Sequence, residues 1–240
     1  MITGIIVALP EELSTLTKKK IPYGKCEFLA ENILVTHSGT GPDNALNAAL
    51  RLLEKGCSKL ISWGCAAGLA EGLSAGDLCL PKQLITENQQ HISVHTEWRQ
   101  QTVCLLDGLQ PIHSGPLSTS SSIISSSRKK KVIHQSTGAI ALDMESTAIA
   151  RIAEQEQIPC LVIRVIADTV DMNLPTAITK SMDGKGEINN NKLALNIITN
   201  PLQIPDLIKL GLHFQNAQKK LNSVAKKIWE IADFPITHTA

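Results

Sequence analysis

No sign of charge prevails in this chain of 240 residues: 23 lysines and arginines stand against 22 aspartates and glutamates. That balance excludes a global field of the kind that draws nucleic acid or favours an acidic surface. Long hydrophobic runs are missing too. No stretch approaches the roughly 18 apolar residues of a membrane span, and the first residues lack the basic flank and apolar run of a secretory signal; the expectation is a soluble, cytoplasmic chain. The six cysteines (Cys26, Cys57, Cys65, Cys79, Cys104 and Cys160) fall in no CxxC or other metal-ligand spacing. They read as reduced thiols, several of them in core strands, and no metal is expected. No repeat recurs at solenoid periods. The nearest thing to a GxGxxG fingerprint, "SGTGPDN" at Ser38 to Asn44, has no acidic residue at a suitable distance, which counts against a nicotinamide oxidoreductase.

What the chain does have is alternation between short apolar runs and amphipathic stretches. Strands buried on both faces are expected at Ile2 to Ala8, Ile33 to His37, Lys59 to Trp63, Asp77 to Pro81, Gly138 to Leu142 and Cys160 to Ile166. Helices are expected at Pro10 to Thr17, Pro42 to Glu54 and Met144 to Gln155, with Pro10 and Pro42 suited to a first turn, where a missing N–H costs nothing. The pattern predicts an α/β fold: a single domain over residues 1–240, with a mixed, largely parallel central sheet flanked by helices. It weakens from Thr86 to Ser127, and "STSSSIISSSRKKK" (Ser118 to Lys131) reads as a serine-rich loop entering a helix with a solvated basic face. Beyond Val170, "NLPTAITKSMDGKGEINNNK" carries turn signals. An amphipathic helical segment follows at 204–232, with Leu207, Leu210, Phe214, Leu221, Val224, Ile228 and Trp229 at helical spacings. That tail reads either as core packing against the main domain or as a basic helix lying on a membrane surface.

The ionisable groups converge. Glu12 follows the first strand, Asp143 and Glu145 follow "GAIAL", and Asp168 ends "CLVIRVI", in which Arg164 interrupts an apolar run. If the strands are parallel, all of these lie at one carboxyl edge, together with the glycine turns "SGTGPDN" and "GCAAGL". Glu145 continues a stripe made by Ala148, Ile149 and Ile152, so it is expected on the buried face of a helix, where a carboxylate must be paired or hydrogen-bonded.

These residues carry a resemblance. The order "GIIVALPEE", "SGTGPDNA", "SWGCAAGLAEGLSAGDLCLP", "ALDMESTAIARIAEQEQIPCLVIRVIADT", from Met1 to about Thr169, resembles the purine nucleoside phosphorylase and uridine phosphorylase superfamily, and within it the methylthioadenosine/S-adenosylhomocysteine nucleosidase branch. Two further pieces, "RVIADTVDMNLPTAI" and "NPLQIPDLIKLG", are similar to the hopanoid-associated phosphorylases, which remove adenine from adenosylhopane. The resemblance implies an enzyme that cleaves the N-ribosidic bond of a purine nucleoside, without a cofactor other than inorganic phosphate if it is phosphorolytic. It also implies a homo-oligomer, with a dimer favoured. The hopanoid pieces add a long apolar 5′-substituent and a peripheral membrane contact. In its terms Glu145 accepts hydrogen bonds from the ribose hydroxyls, Met144 packs under the sugar, Asp168 is the general acid toward purine N7, and Glu12 is the base on the attacking water. Arg164 orients Glu12 as its ion-pair partner, Ile123 and Ile124 flank the base, and Cys65, Gly64 and Gly41 complete the substrate-binding set.

The chain departs from the pattern in three places. Ala167 and Cys65 stand where serines are common, and Ser62 stands where phosphorolytic relatives commonly carry an arginine. The last departure, with the presence of Glu12, turns the expectation toward water as nucleophile. A phosphate-dependent phosphorylase and a non-catalytic nucleoside-binding protein are the competing readings.

Overall fold

The computed structural model describes residues 1–183 and 189–235. Eleven strands form one sheet: β1 (Ile2–Val7), β2 (Cys26–Ala30), β3 (Ile33–His37), β4 (Cys57–Gly68), β5 (Leu78–Cys79), β6 (Gln83–Ile85), β7 (His91–Ser93), β8 (Ile112–His113), β9 (Leu117–Thr119), β10 (Ala141–Asp143) and β11 (Cys160–Asp168). The helices are α1 (Pro10–Leu13), α2 (Pro42–Glu54), α3 (Thr96–Leu105), α4 (Ser127–Thr137), α5 (Ser146–Gln155), α6 (Thr176–Ser181), α7 (Asn190–Thr199), α8 (Ile204–Ala225) and α9 (Ile228–Ala232). Among the described residues no helix is long and apolar enough to cross a membrane. Part of the turn-rich segment after Asn173, residues 184–188, lies outside the described residues.

Strand alternation divides the core into two layers. Ile5, Val7, Ile33, Val35, Ile61, Trp63, Leu161, Ile163 and Val165 face one side, where Leu221, Val224, Ile228 and Ile231 of α8 and α9 cover them. Ile6, Leu34, Leu60, Val162 and Ile166 face the other, under Ala45, Ala48, Ala49 and Leu52 of α2 and Ile149, Ala150, Ile152 and Ala153 of α5. The spacing of the α2 residues makes one apolar stripe, and because both faces of the strands are covered, apolar residues fall on both faces. The tail is locked down at its end, where Lys59 Nζ donates to Ala232 O at 2.8 Å and Thr3 Oγ1 donates to the same carbonyl at 2.8 Å. Trp229, expected in the tail's buried stripe, is 48% exposed.

The centre of the sheet is parallel: β1 pairs with β3 and β4 in parallel, and β11 runs parallel to β4 along nearly its whole length. β10 is the exception to the single parallel edge expected from sequence, since it is antiparallel to β4 through Ala141–Gly68 and Leu142–Ala67. β4 runs on past Trp63 to Gly68, and β10 returns along that extension, bringing Asp143 back toward the level of Cys65. The acidic groups therefore still meet, by a different route.

Two helices are shorter than their patterns suggested. α1 stops at Leu13, where the Ser14 and Thr15 hydroxyls bond back to Glu11 O and Glu12 O, both at 2.6 Å. α5 begins at Ser146, whose backbone N–H donates to Asp143 Oδ2 at 3.2 Å. Glu145 is thus the residue before the first turn, φ −127° and ψ −35°, and not part of the helical stripe; its burial comes from the loop that carries it.

Candidate active site

At the carboxyl ends of β1, β4 and β11 lies a cavity of about 420 Å3 whose lining includes Glu12, Cys65, Ile123, Ile124, Asp143, Met144, Glu145 and Asp168. Its far part is apolar, built by Leu174, Ile178 and Met182 around α6 and by Leu207, Leu210 and Phe214 of α8. Of the residues expected to act, Arg164, Gly41 and Gly64 stand behind this lining and hold the groups that form it.

Glu12 is 3% exposed, and each of its oxygens is fixed by the backbone: Leu9 N–H donates to Oε2 at 3.1 Å and Cys65 N–H to Oε1 at 2.7 Å. Burial pushes its carboxyl above the ordinary value, while the Arg164 charge and those two N–H groups pull it back. Gly64 leaves room for this arrangement, because a β-carbon there would stand 2.7 Å from Glu12 Oε1.

Glu145 accepts from Gly41 N–H at 2.8 Å and from Met144 N–H at 3.2 Å. Gly41 has φ +95°, a conformation that side-chain-bearing residues avoid, and so the turn presents its N–H to a carboxylate a hundred residues away. Burial first, and the neighbouring Asp143 charge second, push Glu145 up to about 7, against the pull of Arg164.

Arg164 does not pair with Glu12. Its Nε and Nη2 both lie 2.9 Å from Asp143 Oδ2, and Nη2 also donates to Ser62 Oγ at 2.6 Å. The register explains the choice: Arg164 lies beside Gly64 on β4, and the antiparallel return of β10 sets Asp143 against it, leaving Glu12 to feel the guanidinium only through its field. Asp143 also accepts from Thr119 Oγ1 at 2.8 Å and from the Ser146 hydroxyl. It anchors Arg164 and the start of α5; the sequence places it at this edge but gives it no role, because every bond it makes is internal.

Asp168 leaves the face that Arg164 occupies. A bulge between Ile166 and Asp168 shifts the register, so that Ile166 pairs with Ala66 but Asp168 pairs with Ala67. There it meets Lys130, which has no exposure at all and whose Nζ donates to Asp168 Oδ2. The basic run was expected to be solvated. Arg128 and Lys129 are, but Lys130 points inward, three residues before the partly buried Ile133 on the same face of α4. That spacing is the one local signal that sets it apart. Burial pushes Asp168 up, Lys130 pulls it down, and the net direction is up.

Three carboxylates with raised proton affinity thus share one cavity: a pair of them fixed by backbone N–H groups, and a third by a lysine. Glu11 and Asp143 add to the acidic lining, and none of the described residues that line it is an arginine, lysine or histidine. Such a set can take a proton from water, give one to a basic ring nitrogen and hold hydroxyl groups, and it repels a dianion.

Comparison with known proteins identifies the family and the fold. The sequence profile described as "Phosphorylase superfamily" matches residues 3–199. A 5′-methylthioadenosine/S-adenosylhomocysteine nucleosidase of Staphylococcus epidermidis is 27% identical over 196 residues, 69% of this chain and 85% of that protein. Among solved structures, the fold is similar to the 5′-methylthioadenosine/S-adenosylhomocysteine nucleosidase of Helicobacter pylori with butyl-thio-DADMe-Immucillin-A: TM-score 0.70, 18% identity, 96% of this chain and 97% of that one. It is also similar to the native futalosine hydrolase of Helicobacter pylori: TM-score 0.67, 18% identity, 94% of this chain and 97% of that one.

Proposed function

The chain belongs to the Phosphorylase superfamily and is an enzyme that cleaves N-ribosidic bonds, and on that premise we propose that it hydrolyses a 5′-substituted adenosine to release adenine. The observation that carries this reading is Glu12, a buried carboxylate held at both oxygens by backbone N–H groups and facing a cavity it shares with Glu145 and Asp168. The bond breaks through a ribosyl cation. Glu145 holds the ribose hydroxyls, and its negative charge favours the cation. Asp168 gives a proton to purine N7, so that adenine leaves neutral, and Glu12 accepts the proton of the water that attacks the sugar. Met144 packs under the ribose, and Ile123 and Ile124 flank the base. Water is favoured over phosphate because the lining is acidic and Arg164, which stands behind it, is spent on Asp143 and Ser62.

For the 5′ end, the apolar far part of the cavity supports a bulky hydrocarbon substituent of the adenosylhopane kind. On α7, on the turn after it and on α8, Leu195, Ile198, Leu202, Ile208 and Leu212 are 57% to 87% exposed, and exposed Lys180, Lys192 and Lys209 lie on α6, α7 and α8, with exposed Asp206 also on α8. This supports a peripheral contact with an anionic membrane through which an apolar substrate enters. Flotation with vesicles containing an anionic lipid tests the contact. Binding that is lost in Ile208→Ser/Leu212→Ser supports it, whereas burial of that face in a dimer, read by sedimentation, contradicts it.

The substrate test is to incubate the protein with adenosine, 5′-deoxyadenosine, methylthioadenosine and an alkyl-extended adenosine and to assay adenine. Preference for the extended compound is expected. Release from none of them defeats the reading.

A further inference from the structure

Lys130 is buried against the proposed acid and outside the cavity lining, to which Asp168 belongs. Besides Asp168 Oδ2, its Nζ donates to Thr169 O and Met172 O, each at 2.9 Å. These three bonds use every donor of an ammonium. Two carbonyls and a carboxylate form a complete cradle for one positive charge, which deep in a protein is otherwise expensive. With Oδ2 taken, Oδ1 is the oxygen left for a ligand.

We propose that Lys130 is a positioning residue for Asp168, turning Oδ1 toward the departing purine and stabilising the carboxylate that remains once the proton has passed to N7. The inference rests on Asp168 being the acid. In that step the Asp168 O–H bond breaks, the N7–H bond forms, the electron pair of the C–N bond goes to the purine, and Lys130 keeps all its protons. The role answers a physical difficulty. Burial alone makes Asp168 hold its proton too tightly, and Lys130 opposes that, followed by His213 of α8. His213 has its Nδ1 buried with no hydrogen-bond partner among the described residues, and the Cys65 thiol on β4, which burial first and the Glu12 and Asp168 charges after it push well up, faces Asp168 without a charge of its own.

Two variants test it: Lys130→Met, which keeps the length of the side chain, and Lys130→Gln, which keeps donors for the carbonyls without the charge and serves if the first does not fold. Two measurements are made on each folded variant. The Asp168 carboxyl carbon is titrated by NMR without substrate, its signal assigned with Asp168→Asn. Turnover is compared between adenosine and a 4-nitrophenyl riboside, whose leaving group needs no proton. The expected result is an Asp168 midpoint raised by about one pH unit or more, with adenosine turnover lowered about 10²-fold and a loss on the nitrophenyl riboside at least about tenfold smaller. An unmoved midpoint, or equal losses on both substrates, overturns the inference. Absence of adenine release by the wild type would instead defeat the proposed function, and the titration would still decide whether Lys130 governs Asp168.

Discussion

Gly64 and Glu12 stand so close that no side chain fits between them: a β-carbon on Gly64 would lie 2.7 Å from Glu12 Oε1 and 2.8 Å from its Cδ. Gly64 also has φ +158°, a backbone conformation that side-chain-bearing residues rarely adopt, so alanine there meets both a contact and backbone strain. Gly64→Ala should therefore lower the melting temperature, displace the Glu12 carboxylate from the Cys65 N–H, and in the protein that still folds lower hydrolysis by about 10²-fold or more, the scale of losing a general base. Thermal melting and adenine release measured on the same preparation check it. Wild-type activity in a folded Gly64→Ala protein would remove Glu12 from the mechanism.

The Arg164–Asp143 pair is almost wholly buried, and breaking such a pair leaves an uncompensated charge in the interior. Arg164→Met should cost about 3–5 kcal/mol of stability. The double variant Arg164→Met/Asp143→Asn should recover part of that loss, because it removes the stranded charge. Urea melts of the two variants read the difference; equal losses would mean that Arg164 contributes through packing alone.

Glu145 gives a pH dependence with a definite sign. Its pKa is about 7 in the folded protein against 4.5 as the ordinary value, so the folded state binds the extra proton between those limits. Stability then falls as pH rises from about 4.5 to about 7 and is level above, a contribution of up to about 3 kcal/mol. Glu145→Gln should be the more stable protein at pH 8 and lose that slope, while binding nucleoside less well. Melting temperatures of the two proteins across pH 4.5 to 8 test this, and parallel curves would contradict it.

Removing the tail is not a usable test of substrate length, since Ala217, Leu221 and Val224 of α8 are part of the main core. Point variants are. Leu207→Ala and Leu210→Ala widen the apolar part of the cavity without touching the acidic end. They should lower kcat/KM for an alkyl-extended adenosine by about tenfold, on the scale of lost apolar contact, and alter methylthioadenosine much less. Equal effects on both substrates would place the 5′-substituent elsewhere.

Local pattern was enough for the elements that bury both faces. Ile33–His37 and Pro42–Glu54 have the bounds that alternation, Pro42 and the apolar stripe indicate. Strands of two or three residues such as β8 and β9 are too short to show a period, and they exist because distant strands pair with them. Glu12, Glu145 and Asp168 were legible as a group because an acidic residue after an apolar strand is costly unless used. The partner of Arg164 was not: Glu12, Asp143 and Glu145 are equivalent candidates until the β4–β11 register and the return of β10 choose Asp143. Lys130 was hidden for the same reason, since its partner lies 38 residues away, beyond a bulge that turns Asp168 to meet it.

The central claim is that water, activated by Glu12, attacks the sugar. The measurement is adenine release in phosphate-free buffer and again with phosphate, in isotopically labelled water, with the sugar product identified by mass spectrometry. The account predicts the same rate in both buffers, one labelled oxygen on the released ribose, and near-complete loss of the phosphate-free rate in Glu12→Gln. A rate that appears only with phosphate, yielding a ribose 1-phosphate without label from water, would contradict it.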